Sequence, residues 1–403
     1  MGANGPILIV GGGLGGLTAA LALARRGFAV RVLESAPEFG AIGFGIQFGP
    51  NVFHALDRIG LRDAVLENGD SPPAVLMVDA LDGKEVTRVP TGASFRRRFK
   101  HPYLIIHRVD LHNVMLDACR REPLITLVPD AQVTRFDDRR DGVTVTTQDG
   151  RDFGGAALIG ADGIRSRTRA QLFDDGDPLP NGFMGFRTIV PMAEVTADVQ
   201  RDVVALWAGP GFHIVHYPLR HGTLFNIVAV FRRSGHAERG DVAAYRAELE
   251  RVYRDAYPTM KALLAMLDLS RRQAVGDRDP VRHWHKGRVV LLGDAAHPTL
   301  QSLAQGACMA IEDGVCLADC IHFAGGDFAA AFGRFERARG LRTARVTVES
   351  RYIWDVYHAE GIARDVYWQM LSERSEADVF QCLAWLYDGF QLPEQAVPRV
   401  ARG

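Results

Sequence analysis

The sequence predicts an α/β fold in three parts: an open parallel-stranded domain assembled from discontinuous pieces, an inserted β-sheet domain, and a carboxy-terminal helical region. Three observations lead there. A glycine-rich turn stands between a short apolar run and an alanine-rich stretch within the first thirty residues. The middle of the chain changes to short alternating runs punctuated by Asp-Gly pairs. A buried-strand pattern then returns at residues 288–292, and helical periodicity dominates after Ala304.

Residues 6–10 are an apolar run of strand length, and residues 17–24 suit a helix packed closely on a sheet. Gly27 ends that helix, and residues 29–33 read as a second strand. A helix crossing between two strands makes them parallel, so this is a βαβ unit. Residues 71–90 alternate around Asp82 and Gly83, the pattern of a hairpin. The basic run Arg96, Arg97, Arg98, Phe99, Lys100 is expected to be a solvated loop. A helix is expected after Asp110, with Leu111, Val114, Met115 and Ala118 on one face. Residues 133–153 read as a small meander, and residues 156–163 as an apolar strand ending in a turn. Several β-rich runs between 183 and 231 predict the core of a second sheet, followed by helices over 242–254 and 259–267. The expected division is 1–70, 101–175 and 272–330 for the first domain, 71–100 and 176–271 for the inserted sheet, and 331–403 for the helical region.

Composition narrows the function. Lysine plus arginine number 47 against 48 acids, a net charge of -1, so no basic field recruits nucleic acid. No run of about 18 apolar residues is present to span a bilayer. A strand-like segment begins within six residues, which leaves no room for a secretory signal. The odd set Cys119, Cys308, Cys316, Cys320 and Cys382 contains no C-x-x-C pair. These read as buried thiols in a reducing cytoplasm, with neither a disulfide frame nor a metal site.

Gly11, Gly13 and Gly16 fit G-x-G-x-x-G, which makes the first domain Rossmann-like. The first glycine permits a tight turn, the second lets backbone approach a pyrophosphate, and the third lets helix meet strand. With Gly15 they are the positions expected along a dinucleotide, at a helix terminus with unpaired N–H groups. Glu34 closes the second strand 18 residues after Gly16, where a carboxylate accepts hydrogen bonds from a ribose diol. This motif alone leaves FAD and NAD both open.

Three further motifs decide. Arg108 stands just before a helix in the run from Tyr103 to Leu111. Gly160, Ala161, Asp162 and Gly163 end an apolar strand ahead of Arg165 and Arg169. Gly293, Asp294, Ala295, Ala296, His297 and Pro298 end another. With these four motifs in order, the chain resembles the single-component, FAD-dependent aromatic hydroxylases, which include para-hydroxybenzoate and salicylate hydroxylases.

That resemblance implies bound FAD, NADH or NADPH as electron donor, and a flavin C4a-hydroperoxide as oxygen donor to an aromatic ring. Asp294 would bond a ribityl hydroxyl, Arg108 the flavin chain or pyrophosphate, and Asp162 would lie where the dinucleotide and the nicotinamide pass. Pro298, Gly306 and Ala307 would lie along the isoalloxazine, where backbone N–H groups and a helix dipole favour the anionic reduced ring. No second G-x-G-x-x-G with a following acid appears, which agrees with a nicotinamide that visits transiently. Arg165 and Arg169 stand equally as solvated helix residues, and His107 as structural.

Hydroxylation also needs an electron-rich ring, hence an acceptor for a phenolic proton, anchors for a carboxylate, and a dry pocket. Strand alternation puts His213, Val215 and Tyr217 on one face and His216, read as structural, on the other. His213 is the expected proton acceptor, with Tyr217 as its partner and Gln301 bonding substrate from the flavin loop. Tyr103 points either to the same pocket or to a domain interface, and Arg187 is expected to face outward. Residues 298–310 together with His213 and Tyr217 look most like family members that convert 3-hydroxybenzoate to gentisate. Salicylate hydroxylation, or hydroxylation or epoxidation of a larger aromatic, stand as alternatives, and a flavin-binding regulator is the reading outside enzymes. The implied partners are a small aromatic acid, O2 and NAD(P)H. The aromatic carboxy-terminal stretch with Tyr352, Trp354, Tyr357, Tyr367, Trp368 and Trp385 suits a homodimer surface or a self-packed cap equally.

Overall fold

Strand Ile7–Val10 has four apolar side chains, all buried, and therefore lies inside a sheet covered on both faces. It pairs in parallel with Val30–Leu33 on one side and Ala157–Gly160 on the other, with Ile7 opposite Val30 and Ala157. Ile125–Val128 and Val289–Leu291 extend this layer, and His285–Lys286 closes it as an antiparallel edge, giving six strands. The first crossover helix, Leu14–Ala24, buries nearly every residue, and its small side chains let it pack closely against helix Gly306–Phe323. The structure is a computed structural model that describes residues 5–41, 43–233, 242–270 and 272–390.

An antiparallel meander, Val133–Arg139, Gly142–Thr147 and Asp152–Gly155, covers one flank as the Asp-Gly turns predict. The second large sheet has seven strands, running from Arg272–Asp277 through Leu179–Pro191, Leu224–Arg232, Phe212–Leu219 and Val204–Gly209 to Ala74–Asp79 and Glu85–Pro90. All its pairings are antiparallel except that of Val204–Gly209 with Ala74–Asp79. One face packs on helices Val242–Val252 and Pro258–Ala265 through Phe186, Ile214, Phe231, Tyr245 and Met260. The other face looks toward the first domain. A small sheet of Gly45–Phe48, Leu104–His107 and Gly69–Asp70 lies at the junction.

Three expectations are corrected here. Residues 272–277, placed with the first domain on sequence, pair with Leu179–Pro191 as an edge of the second sheet. The basic run at 96–100 is solvated but is not a loop. Arg96, Arg97 and Arg98 belong to helix Ala93–Phe99, because Phe95 and Phe99 share its buried face against Phe380 and Tyr387. Cys119, Cys308, Cys316 and Cys320 are buried, but Cys382 is exposed on the outer face of helix Glu376–Tyr387.

The carboxy-terminal helices are Gly306–Phe323, Phe328–Tyr357, Gly361–Ser372 and Glu376–Tyr387. Residues 391–403, part of the expected helical region, lie outside the described residues. Buried charge joins the first two helices: Arg339 donates to Glu312 and to Asp313, both at 2.6 Å, and all three are buried. Among the described residues no helix is long and apolar enough to cross a membrane.

Candidate active site

The opening turn has the geometry its glycines require. Gly11 has φ +109°, and a Cβ there would lie 2.3 Å from the Ala161 carbonyl oxygen. A Cβ on Gly16 would lie 2.0 Å from the Gly11 oxygen, so the helix starts hard against the turn. A Cβ on Gly15 would lie 2.7 Å from the Leu292 side chain, whereas Gly13 looks into open space. No side chain caps helix Leu14–Ala24. Glu34 reaches back to this turn, accepting from the Gly12 N–H at 2.7 Å.

Asp162 lies against the same turn, but its carboxylate is engaged. It accepts from Ser166 Oγ at 2.6 Å and from the Thr168 N–H at 3.0 Å, which fixes the start of helix Arg167–Phe173. Arg165 is exposed. Arg169 is not a solvated helix residue: it is buried, pairs with Asp175, and donates to the Ala295 and Ala296 carbonyls. It thereby ties the Asp162 turn to the Asp294 turn. Local spacing cannot reveal this, because the partners are over a hundred residues away.

The Asp294 turn is held from below. Asp313 accepts from the Gly293 N–H at 3.1 Å and pairs with His297 at 2.5 Å. Arg339 and His297 hold the Asp313 carboxyl down at about 2 against the cost of its burial. Asp294 itself remains open to water in a cleft that protein surrounds. That enclosure raises its pKa, opposed by His297 and Arg108. Gly306, the first residue of its helix, places its Cα hydrogens toward Asp294, with 3.7 Å from an added Cβ to Oδ1. Pro298 is buried and Ala307 partly buried on either side. Arg108 is exposed, and its side chain makes no hydrogen bond or ion pair among the described residues. His107 is buried against Gly43, in keeping with a structural role.

These residues fit FAD. An open cradle at Gly13, an uncapped helix terminus, an unpartnered Arg108 and a water-accessible Asp294 carboxylate line one cleft. They match a pyrophosphate and a polyhydroxyl chain in charge and hydrogen-bonding capacity.

The second sheet forms the opposite wall. His213, Val215 and Tyr217 do share a face, and register extends it: Val230, Val228 and Asn226 lie opposite them on the next strand. Arg187 lies opposite Val228 on the strand beyond, which puts it on this inner face, about 10 Å across the strands from Val215. This corrects its expected outward direction. The side chain donates to Gln301 Oε1 at 2.6 Å, bridging sheet and flavin loop, and packs over Phe44. Burial lowers its pKa, Tyr217 opposes, and Arg108 adds to the lowering.

At the Tyr217 end, burial pushes the phenol up to about 12, so it stays a donor. Tyr217 lies against Gly45 and Gln47, and Tyr103 donates to Gln47 Oε1 at 2.6 Å. Tyr103 therefore reaches the pocket wall through Gln47. His213 sits two pleats away, about 13 Å along the strand from Tyr217. It is buried against Trp354, Tyr357 and His358, and burial followed by His358 holds its pKa well below normal. His216 faces the other layer, accepts from Trp207 Nε1 at 3.0 Å, and is lowered to about 3 by burial.

Gln47, beside Tyr103 and Tyr217, and Trp354, Tyr357 and His358, around His213, are neighbours of the candidate residues that pattern reading missed. Trp354 and Tyr357 belong to the aromatic stretch read as surface or cap. Helical rotation turns them inward while Tyr352 stays exposed. The loop carrying Gln301 is pinned to the same helix, with Ser302 donating to the Ser350 carbonyl and Tyr357 to the Ser302 carbonyl.

The family profile described as FAD binding domain matches residues 4–324. The chain is 40% identical over 382 residues to 3-hydroxybenzoate 6-hydroxylase of Polaromonas naphthalenivorans (strain CJ2), covering 95% of each. It is 39% identical to 3-hydroxybenzoate 6-hydroxylase 1 of Aquipseudomonas alcaligenes, covering 94% of this chain and 97% of that one. Among solved structures, Klebsiella pneumoniae HpxO complexed with FAD and uric acid superposes with a TM-score of 0.83 at 27% identity, covering 96% of this chain and 97% of that one. Cleft, motifs and relatives agree, and the chain belongs to the FAD-dependent aromatic hydroxylases.

Proposed function

We propose that this protein hydroxylates 3-hydroxybenzoate para to its hydroxyl group, giving gentisate, with NAD(P)H as reductant and O2 as oxygen source. The observation that carries the reading is Arg187. It is a guanidinium inside the cleft whose hydrogen-bond partner is the neutral Gln301 and which pairs with no carboxylate among the described residues. On the same sheet face stands an uncharged histidine. A ring bearing a carboxylate and a phenol matches that pair, and the names of the relatives support the same substrate.

Bound FAD, held by Gly11, Gly13, Gly15, Gly16, Glu34, Arg108 and Asp294 and flanked by Pro298, Gly306 and Ala307, supplies oxygen in electrophilic form. The chain's own residues prepare the ring. Arg187 pairs with the carboxylate, and the Gln301 amide, its oxygen already engaged, donates a second hydrogen bond. His213 Nε2 accepts the phenolic proton, which raises electron density at the para carbon. Tyr217 and Tyr103 stay protonated and orient the ring through hydrogen bonds. Val215, Trp354 and Tyr357 keep water from the reacting carbon.

The test is oxygen uptake and product analysis with FAD-loaded protein, 3-hydroxybenzoate and NADH or NADPH, with salicylate and larger phenols as comparisons. Gentisate formed in step with NAD(P)H consumption is expected. Peroxide without gentisate defeats the substrate assignment. His213→Gln should retain FAD but hydroxylate at least ~100-fold more slowly, and unchanged turnover removes His213 from the chemistry.

A further inference from the structure

We infer that His358, which closes helix Phe328–Tyr357, is a positioning residue that fixes the tautomer of His213 and keeps the His213 Nε2 lone pair free for substrate. The inference rests on the reading of His213 as proton acceptor.

The argument is hydrogen-bond accounting. His358 Nδ1 lies 2.7 Å from the Trp354 carbonyl oxygen, and a carbonyl oxygen only accepts. The proton between them is therefore on His358 Nδ1. A neutral imidazole carries one N–H, so His358 Nε2 is a bare acceptor. That nitrogen lies 2.8 Å from His213 Nδ1, and a contact of this length needs a hydrogen. His213 must supply it, which leaves its own Nε2 unprotonated. No protein group among the described residues occupies that nitrogen.

Both rings are neutral because both are buried: burial lowers His213 well below the usual range and His358 to about 3. The charged groups nearby do not reverse this. Arg232 is paired with Glu360 at 3.1 Å, and Asp355 is exposed at the rim of the surface cavity whose wall includes His358. From the opposite face of the sheet, the Tyr253 hydroxyl donates to the backbone carbonyls of Val230 and His213 and not to the His213 ring. Packing holds the two rings in place: Phe183 lies 4.4 Å from the His358 ring, and Trp354 meets both histidines at 5.3 and 4.8 Å. Without His358, nothing among the described residues would stop His213 from carrying its proton on Nε2. It would then donate to the phenol where it must accept.

Two variants and one spectrum test this. Gln at 358 can still donate to the Trp354 carbonyl and accept from His213 Nδ1, whereas Leu can do neither. His358→Leu should lower kcat for 3-hydroxybenzoate hydroxylation at least ~10-fold, with KM and FAD content little changed, and His358→Gln should recover most of the loss. Histidine-selective 15N spectra of the FAD-loaded wild type, with His213→Gln for assignment, should show His213 protonated on Nδ1 alone. A His213 found as the Nε2–H tautomer overturns the inference, as does a Gln variant as slow as the Leu variant. If His358→Leu switches the tautomer while kcat stays constant, the tautomer control stands and the reading of His213 as acceptor fails. A Leu variant that changes neither defeats the inference outright.

Discussion

Arg187 and Gln301 join the two walls of the cleft, the guanidinium on the roof sheet donating across 2.6 Å to the side-chain oxygen on the flavin loop. The contact spans 114 positions of sequence and sets the direction of both groups. It engages the Gln301 side-chain oxygen and leaves the amide N–H groups of Gln301 and the other guanidinium N–H groups of Arg187 as donors. On the proposed function, donors at one end and a bare imidazole nitrogen at the other suit a ring that is anionic at one end and acidic at the other.

Replacing Arg187 by Gln should raise KM for 3-hydroxybenzoate by ~10- to 100-fold, the worth of one charge-assisted hydrogen bond. FAD affinity should not change. Lys should restore only part of the loss, because it lacks the planar fork. Steady-state kinetics measures this, and a KM unchanged in the Gln variant would show that the carboxylate binds elsewhere.

Gly11 and Gly13 should separate folding from cofactor binding. Alanine at Gly11 meets the Ala161 carbonyl in a left-handed backbone, so the protein itself should be destabilised. Alanine at Gly13 meets nothing within 4 Å, so the Tm of the FAD-free protein should hold while FAD affinity falls. Thermal melts with and without added FAD read both effects, and equal FAD affinity in Gly13→Ala would show that the cradle is not where it is argued to be.

Arg339→Met should be costly. Its guanidinium lies between Glu312 and Asp313 with all three groups buried, and its removal takes a cationic partner from each of two buried carboxylates. A loss of ~3–5 kcal/mol is expected by urea unfolding. Arg342, which also reaches Glu312, limits the damage to that residue and leaves Asp313 the more exposed of the two to the loss. Because Asp313 holds His297 and the Gly293 N–H, FAD retention should fall with it.

Acid should destabilise the fold early. His216 and His358 are held at about 3 and His213 also low, against about 6.5 in an unfolded chain. Between those values the unfolded state binds more protons, so stability is complete above about 6.5 and declines as pH falls. Asp313, lowered from 3.8 to about 2, adds a second loss over that lower window. Melting curves from pH about 7.5 down to 4.5 should show Tm falling, with a shallower slope in His216→Gln. A flat Tm over that range would mean that these imidazoles are not buried and neutral.

The opening βαβ unit, the Asp-Gly meander and the strands that end at Asp162 and Asp294 were legible from pattern, because each depends on neighbours in sequence. The alternation of His213, Val215 and Tyr217 was legible for the same reason, and so was His216 on the far face. Arg187 was misjudged: alternation assigns it a face but does not say which face meets the cleft. Arg169 and Asp162 show the same limit, since one guanidinium bonds carbonyls of a distant turn and one carboxylate serves the helix that follows it.

Periodicity, glycine placement and motif order are properties of the chain as written, and they were enough to define the fold class, the glycine-rich turn and the family. Which nitrogen of His213 carries its proton is not such a property. It depends on a carbonyl and a second imidazole brought in by a helix 145 residues further along, and hydrogen bonds and desolvation exist only once those groups meet.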